Sequence, residues 1–265
     1  MAKKLSPQWR GRRTKDEHMN YSICIDSIFN GMDSLEALEQ VKAAGFSAFE
    51  FWHWRNKDMD ALAEKAASLN LSCSGFCTSS FNLTDPGQRA VFLQCLKESI
   101  ALTKKPGARF LITQSGMDTG ESRDYQKQSI IDGLKAAAPM LEDSGVTLLL
   151  EPLNRKIDHP GIYLEYSNEG FEILKDVGSP NVKILFDIYH QQITEGDIIR
   201  RVTSHINEIG HIHCAGNPGR HELDTGELDY RRIFKALEEA GYKGLAGIEY
   251  FPAEPALQGL KRLGN

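Results

Sequence analysis

Four polar residues end four predicted strands that follow one another along the chain. They are Glu151, Asp187, His213 and Glu249, and each comes at the end of a short, largely apolar run. Successive side chains of a strand point to opposite faces, and Glu151 shares its face with Leu149, which indicates an inward position. Three carboxylates that met in a buried place would repel one another and lose their hydration. Acid oxygens with one ring nitrogen suit an octahedral cation, so these residues predict a site for one divalent metal ion, Mn²⁺, Co²⁺ or Mg²⁺.

The elements that must position these residues alternate regularly from Met19 onward. Short β-branched or aromatic runs predict eight strands, at Tyr21–Ile25, Ala48–Trp52, Ser72–Phe76, Arg109–Thr113, Thr147–Glu151, Lys183–Asp187, His211–Cys214 and Ala246–Tyr250. Apolar residues at intervals of three and four predict helices at Ser34–Ala44, Asp60–Leu69, Arg89–Thr103, Tyr125–Glu142, Glu169–Asp176, Asp197–Glu208, Tyr230–Ala240 and, more briefly, Pro255–Leu263.

Eight repeated strand and helix units predict an α/β protein with a single (β/α)8 barrel over residues 19–265. No linker rich in Gly, Ser or Pro interrupts the pattern, so we expect one catalytic domain. In such a barrel the active site lies at the carboxyl ends of the strands, where the four polar residues are predicted to stand. An open doubly wound sheet built from the same elements is the structural alternative.

Composition and charge exclude several classes of protein. Hydrophobic residues make up 41% of the 265 residues, and the net charge of −5 does not favour nucleic-acid binding. No apolar run approaches the roughly 18 residues that span a membrane. Residues 1–18 carry six basic side chains but no apolar core of a secretory signal, so we expect an extension outside the fold. The five cysteines lie mostly in apolar surroundings, which suits reduced thiols in a cytoplasmic protein.

Four motifs resemble those of the xylose isomerase-like TIM barrels, and within them the branch of hydroxypyruvate isomerases and ketose 3-epimerases. The motifs are Glu151-Pro152-Leu153-Asn154, Phe186-Asp187-Ile188-Tyr189-His190-Gln191, Gly210-His211-Ile212-His213 with the later run Asn217-Pro218-Gly219-Arg220-His221-Glu222, and Gly247-Ile248-Glu249-Tyr250. The resemblance extends more loosely from about Met19 to the C-terminus. It implies that the four strand-end residues bind one divalent metal and that Glu151 and Glu249 are also the catalytic acid/base pair.

The resemblance also implies contacts to a small-molecule substrate. His190 matches a family histidine that bonds the substrate, and Arg220 matches an arginine that anchors its polar end. A planar guanidinium can pair with a carboxylate through two parallel hydrogen bonds, which makes Arg220 a suitable carboxylate anchor. Because His190 lies three residues beyond Asp187, we expect it in the loop after strand six, leaning over the pocket.

An aromatic run, Phe51-Trp52-His53-Trp54, ends strand two at the same rim. Aromatic faces could line the apolar side of a sugar pocket, although Phe51 and one tryptophan suit an ordinary core strand as well. We therefore regard His53 and Trp54, together with Glu50 and Phe81, as candidates for the lining of the substrate pocket.

Two glutamates beside one metal can move a proton next to a carbonyl. A metal bound to the carbonyl and a neighbouring hydroxyl stabilises an enediolate, and two carboxylates can remove and return the proton. We therefore expect an isomerase of a small hydroxy-carbonyl compound. Conversion of hydroxypyruvate to tartronate semialdehyde is the leading reaction, favoured by Arg220. Epimerisation at C3 of a ketose of the tagatose or psicose type is the alternative, since the epimerases have histidine at the position of His213, whereas hydroxypyruvate isomerases usually have glutamine.

Two functions of other classes remain open alternatives. A metal-dependent DNA-repair endonuclease of the same fold would need a three-metal cluster with more ligands, and the negative net charge is unfavourable for holding a phosphate backbone. A non-catalytic sugar-binding barrel would leave two convergent glutamates without a role. A homo-oligomer is compatible with the sequence.

Overall fold

The structure is a computed structural model that describes residues 19–79 and 82–263. Eight parallel strands form a closed barrel in chain order, and the first strand pairs with the last. The strands are β1 (Asn20–Cys24), β2 (Ala48–Phe51), β3 (Ser72–Cys77), β4 (Phe110–Gln114), β5 (Thr147–Glu151), β6 (Val182–Asp187), β7 (Ile209–Cys214) and β8 (Leu245–Ile248). The predicted single (β/α)8 TIM barrel is confirmed, because closure excludes the open doubly wound sheet.

Ten α-helices among the described residues follow or connect the strands. They are α1 (Ile25–Ile28), α2 (Ser34–Ala43), α3 (Met59–Ser68), α4 (Arg89–Thr103), α5 (Arg123–Ser144), α6 (Ser167–Val177), α7 (Ile188–Thr194), α8 (Ile198–Ser204), α9 (Tyr230–Glu239) and α10 (Ala256–Leu263). Outward-facing strand residues such as Phe49, Leu148 and Ile212 pack with the helices in one continuous core. Within the described part of the chain, none of the helices combines the length and apolarity that crossing a membrane requires.

The inside of the barrel holds a separate, smaller apolar cluster. Phe110, Leu149 and Leu185 belong to it and are buried. Glu151 and Asp187 stand two positions beyond Leu149 and Leu185, so the alternation of the strands turns both carboxylates inward at the carboxyl end. The apolar cluster thus separates this rim from the amino-terminal mouth of the barrel.

The strand register brings the polar residues side by side. Asp187 pairs with His213 across β6 and β7, and His213 pairs with Gly247 across β7 and β8. On the other side, Glu151 pairs with Gln114 across β4 and β5. Neighbouring strands of a sheet lie about 4.8 Å apart. Residues that are far apart in sequence therefore become direct neighbours at one rim.

The bounds of the predicted strand at Thr147–Glu151 agree with those of β5, and the other predicted strands differ from the observed ones by one or two residues. Strand β8 ends at Ile248, so Glu249 directly follows the strand instead of lying in it. The predicted helix Asp197–Glu208 is wrong at its C-terminus, because α8 already ends at Ser204. The short helices α1 and α7 were not predicted at all, since each begins directly where a strand ends and is too short to show a periodic pattern.

Helix α7 corrects the predicted position of His190. The Asp187 carboxylate accepts hydrogen bonds from the backbone N–H groups of Tyr189, at 2.7 Å, and His190, at 3.2 Å. A carboxylate that accepts these bonds caps the N-terminus of a helix. The sequence predicted that His190 lies in a loop, but it lies on helix α7. The predicted extension at residues 1–18 and the pocket candidate Phe81 lie outside the described residues.

We expect Gly75→Ala to destabilise the barrel. A Cβ at this position of β3 would lie 2.2 Å from ring carbons of Phe110 and 2.7 Å from the Phe110 carbonyl oxygen. Overpacking of this kind costs about 1–3 kcal/mol, which urea unfolding would measure. The matched control is Gly87→Ala, where the nearest atom lies 3.1 Å away, and it should stay within about 0.5 kcal/mol of wild type. Equal unfolding midpoints for the two variants would contradict the close approach of β3 and β4.

Candidate active site

A cavity of about 830 Å³ opens at the carboxyl ends of the strands. Its lining includes Glu151, His190, His213, Arg220 and Glu249. This is the end of a (β/α)8 barrel at which active sites are found. The cavity therefore brings together five of the residues that the sequence indicated for chemistry.

Four side chains beside this cavity form what we call the ligand cluster, namely Glu151, Asp187, His213 and Glu249. One oxygen or nitrogen atom of each lies within 4.8 Å of the corresponding atoms of the other three, and all four residues are buried. His213 Nδ1 lies 3.4 Å from Glu249 Oε2 and 3.9 Å from Glu151 Oε1. The ligand cluster could hold a metal ion, because its donor atoms converge on one point.

The chemistry of the ligand cluster fits a divalent cation. Three carboxylates and one imidazole are the ligands that such ions take when oxygen donors predominate. His213 Nδ1 is buried and has no hydrogen-bond partner among the described residues. Buried polar atoms are almost always satisfied, so an orphaned nitrogen that faces two carboxylates indicates a ligand position.

Burial and neighbouring charges give the three carboxylates of the ligand cluster different pKa values. Burial raises the pKa of Glu151 to about 8, and the charge of Glu249 adds to this rise. Burial also raises the pKa of Asp187, against the opposing charge of Arg220. Burial acts on Glu249 in the same direction, but the charges of His213 and Arg220 outweigh it and hold the pKa of Glu249 well below its ordinary value. Without a cation, Glu151 keeps a proton at neutral pH while Glu249 is ionised.

His190 offers a hydrogen-bond donor to the cavity. Asn154 Nδ2 lies 2.6 Å from His190 Nδ1, while Asn154 Oδ1 accepts the backbone N–H of Ile157 at 3.0 Å. This second bond fixes the orientation of the amide, so its NH₂ group donates to Nδ1. Burial, together with the charge of Arg220, holds the pKa of His190 well below its ordinary value, so the ring is neutral. Its proton therefore sits on Nε2, which has no hydrogen-bond partner among the residues described.

Arg220 is held rigidly at the edge of the ligand cluster. Its guanidinium contacts Glu249 Oε2 and lies 3.9 Å from Asp187 Oδ2, and its side chain is only 12% exposed. The rings of Tyr189 and Phe251 lie 5.3 Å and 5.6 Å from the guanidinium carbon. The backbone of Arg220 has a φ of 56°, a left-handed conformation that non-glycine residues seldom adopt and that concentrates at functional sites. Arg220 thus presents a buried guanidinium cation to the cavity.

The aromatic end of β2 contributes to the cavity in a different way from the prediction. His53 lines the cavity and is exposed. Trp54 is not among the lining residues, since its side chain packs against the core between barrel and helices. Trp52 lines the cavity instead and donates its indole N–H to Glu249 Oε1 at 2.6 Å.

Sequence reasoning missed the roles of Trp52 and Asn154. The sequence did contain a signal for Trp52. It stands two residues after Glu50, so both side chains lie on the same, inward face of the strand. Asn154 stands in the motif that begins at Glu151, but nothing in the sequence indicates that its amide meets His190 from 36 positions away. Glu50 itself is buried inside the barrel and does not line the cavity.

The family model described as xylose isomerase-like TIM barrel matches residues 38–265. The chain belongs to this family. It is 29% identical to the hydroxypyruvate isomerase of Escherichia coli strain K12, over 92% of this chain and 97% of that protein. It is 32% identical to a 2-oxo-tetronate isomerase of Cupriavidus necator, over 91% of this chain and 95% of that protein.

Solved structures show the same fold. A crystal structure named AP endonuclease, family 2, from Brucella melitensis superposes with a TM-score of 0.88 at 29% identity, covering 92% of this chain and 98% of that one. An L-ribulose 3-epimerase superposes with a TM-score of 0.75 at 25% identity, covering 89% and 82%. With curated relatives named as isomerases over nearly the whole chain and an epimerase among the solved structures, the chain is an enzyme of the isomerase and epimerase class.

We expect Glu151→Gln to remove a pH-dependent loss of stability from the metal-free protein. The pKa of Glu151 rises from 4.5 to about 8, so between these values the folded protein holds a proton that the unfolded chain has released. The stability of wild type should fall as the pH rises through this window, whereas glutamine imitates the protonated form throughout. The variant's advantage in free energy of unfolding should widen from about pH 5, reach a few kcal/mol and level off above about pH 8.

Urea unfolding in the presence of a chelator, repeated over this pH range, would measure the difference. Glu64→Gln is the control, because Glu64 is exposed, and its difference from wild type should stay small and independent of pH. A pH-independent difference for Glu151→Gln as well would show that the carboxyl of Glu151 is not perturbed.

Proposed function

We propose that the chain is a divalent-metal-dependent isomerase of a short 2-oxo acid that carries a hydroxyl next to its carbonyl. The observation that carries this proposal is the convergence of Glu151, from β5, and Glu249, directly after β8, on one group of atoms that could hold a metal ion. Hydroxypyruvate is the leading substrate and tartronate semialdehyde its product. The names of the relatives, hydroxypyruvate isomerase and 2-oxo-tetronate isomerase, support the same class of small-molecule substrate.

Glu151, Asp187, His213 and Glu249 would hold the metal. When bound, a divalent ion acts as a Lewis acid that polarises the substrate carbonyl and lowers the cost of the negative charge that forms after proton removal. The single nitrogen donor favours Mn²⁺ or Co²⁺ over Mg²⁺. The raised pKa of Glu151 supports a cation at this position, since a nearby positive charge would let all three carboxylates ionise together.

The two glutamates carry the proton transfers in this proposal. One of them takes a proton from C3 of hydroxypyruvate, and the other delivers a proton to C2, while the hydroxyl proton passes from the oxygen on C3 to the oxygen on C2. Trp52 and Arg220 each contact one oxygen of Glu249 and hold its carboxylate in a fixed place. Among the described residues, none donates a hydrogen bond to the side-chain carboxylate of Glu151, which leaves its oxygens free for metal and substrate.

His190 and Arg220 would orient the substrate. The Nε2–H of His190 is a neutral donor, which suits an oxygen on the reacting carbons. The guanidinium of Arg220 is already desolvated and stacked, so it loses little freedom when it binds an anion. A substrate carboxylate beside Arg220 would fix which end of the molecule faces the two glutamates. This arrangement favours a keto acid over an uncharged sugar.

Epimerisation at C3 of a ketose is the second candidate. The cavity of about 830 Å³ is larger than a three-carbon acid needs, and histidine at position 213 is the residue that the resemblance associates with the epimerases. The same two glutamates could remove a proton from one face of C3 and return one to the other face. L-ribulose 3-epimerase, with 25% identity, supports this alternative.

The endonuclease and the sugar-binding barrel find less support. The described residues offer two groups of possible metal ligands, and these share His213, whereas a three-metal cluster needs separate ligands for each ion. A purely binding protein would not need two acid/base groups beside one ion. We further propose a cytoplasmic location, which the five free, buried cysteines support, and we retain the proposal that residues 1–18 lie outside the barrel.

We expect Glu151→Gln and Glu249→Gln each to lower kcat with hydroxypyruvate by about 10²-fold to 10⁴-fold, because each removes one proton-transfer group. Proton NMR in D₂O would follow both turnover and the exchange of the hydrogens on C3. Glu64→Gln should behave like wild type. Treatment with EDTA should abolish turnover, and added Mn²⁺ or Co²⁺ should restore it. Full activity of metal-free protein, or of either glutamine variant, would refute the proposed reaction.

We expect Arg220→Gln to raise KM for hydroxypyruvate by about tenfold to a hundredfold, which corresponds to the loss of one hydrogen-bonded charge pair. Any effect on kcat that arises through the contact with Glu249 would appear separately in the same kinetic assay. D-Tagatose serves as the uncharged comparison. Turnover of D-tagatose by wild type, with a KM that Arg220→Gln leaves unchanged and no turnover of hydroxypyruvate, would favour the epimerase instead.

A further inference from the structure

Glu50 is a buried carboxylate that the proposed reaction does not use. It lies on β2, faces the interior of the barrel and is only 1% exposed. A buried carboxylate is strongly disfavoured unless polar partners surround it. The residues that surround Glu50 therefore indicate its role.

Each oxygen of Glu50 faces a different imidazole. Oε2 lies 3.0 Å from His211 Nε2 and accepts a hydrogen bond from Ser74 Oγ at 2.9 Å. Oε1 lies 2.8 Å from His213 Nε2, but the arrangement is too bent to count as a hydrogen bond, and both atoms lack a hydrogen-bond partner among the described residues. The imidazole of His213 therefore has Glu50 on one side and the carboxylates of the ligand cluster on the other.

A glycine makes this arrangement possible. A Cβ at Gly247 on β8 would lie 2.4 Å from Glu50 Oε1, 2.5 Å from His213 Cδ2 and 2.8 Å from His211 Nε2. Any larger residue would push the carboxylate and both rings out of their places. The barrel wall is thus hollowed at the point where Glu50 meets the two histidines.

Glu50, His211 and His213 also form a group whose atoms lie close enough to bind an ion. Both imidazoles already lie at hydrogen-bond distance from the carboxylate, and each approaches a different oxygen. Only the contact between His211 and Glu50 has hydrogen-bond geometry, and Glu50 reaches the ligand cluster through His213.

We propose that Glu50 is a positioning residue that holds the Nε2–H of His213, so that His213 binds the metal through Nδ1. A neutral imidazole carries one proton, and a carboxylate beside Nε2 keeps that proton there and leaves the Nδ1 lone pair facing Glu151 and Glu249. A carboxylate behind a ligating histidine also makes the histidine a stronger donor, and its removal typically weakens metal binding by tenfold to a hundredfold. This inference rests on the proposed metal site.

Glu50→Gln tests the proposal, because it keeps the size of the side chain and removes its charge. We expect the variant to fold and to bind Mn²⁺ about tenfold to a hundredfold more weakly in isothermal titration calorimetry. The matched control is Glu195→Gln, which makes the same change at a buried, ion-paired carboxylate that contacts Arg201 and not the ligand cluster. Its Mn²⁺ affinity should equal that of wild type.

A spectroscopic readout distinguishes positioning from simple packing. With Zn²⁺ as a diamagnetic probe and ¹⁵N-labelled histidine, long-range ¹H–¹⁵N spectra should show His213 metal-bound at Nδ1 and protonated at Nε2. In Glu50→Gln, we expect the Nε2–H signal to move upfield and to exchange faster with water. Coordination through Nε2 in wild type, or a Glu50→Gln variant with unchanged Mn²⁺ affinity, would overturn the inference while the proposed function stood. Failure of wild type to bind Mn²⁺ would overturn the proposed function and this inference together.

Discussion

Repulsion among three buried carboxylates is the constraint on which this structure depends. Glu151, Asp187 and Glu249 bring their oxygens within 4.8 Å of one another in a place from which water is largely excluded. The protein itself supplies only part of the compensation, through His213 and Arg220, and this is why the pKa of Glu151 rises while that of Glu249 falls. A site so charged is unstable as a purely structural feature. A divalent cation beside these oxygens, as proposed above, would relieve the repulsion.

The barrel turns this constraint into geometry. Parallel pairing of β5 to β8 places residues from four strands at one rim, and the alternation of each strand decides which of them face inward. Apolar residues such as Leu149 and Leu185 fill the interior of the barrel. The carboxylates of the ligand cluster therefore have no room to move apart into it. Gly247 then removes side-chain volume at the one place where two histidines and a carboxylate must fit.

Much of the fold could be predicted from the sequence, because periods of two and of three to four residues are local signals and eight repeats of them leave few architectures. The meeting of Glu151, Asp187 and His213 at one rim could be predicted too, because successive side chains of a strand alternate between its two faces. What the sequence could not show were contacts that depend on the rotation of individual side chains. The sequence pointed to Trp54 as a pocket residue, but it is Trp52 that donates a hydrogen bond to Glu249. Similarly, His190 is oriented by the amide of Asn154, which lies 36 residues earlier in the sequence. Helix α7 was missed because its beginning depends on a hydrogen bond of Asp187, not on an apolar pattern.

Asp187 joins two parts of the protein that are usually separate. One of its oxygens accepts the N–H groups that begin α7, and the other lies 3.6 Å from the ring of His190, which the same helix carries. The end of β6, an oxygen of the ligand cluster and the helix that carries the His190 ring therefore belong to one covalent and hydrogen-bonded unit. A substitution at Asp187 would therefore disturb the start of α7 and the position of His190 together with the ligand cluster.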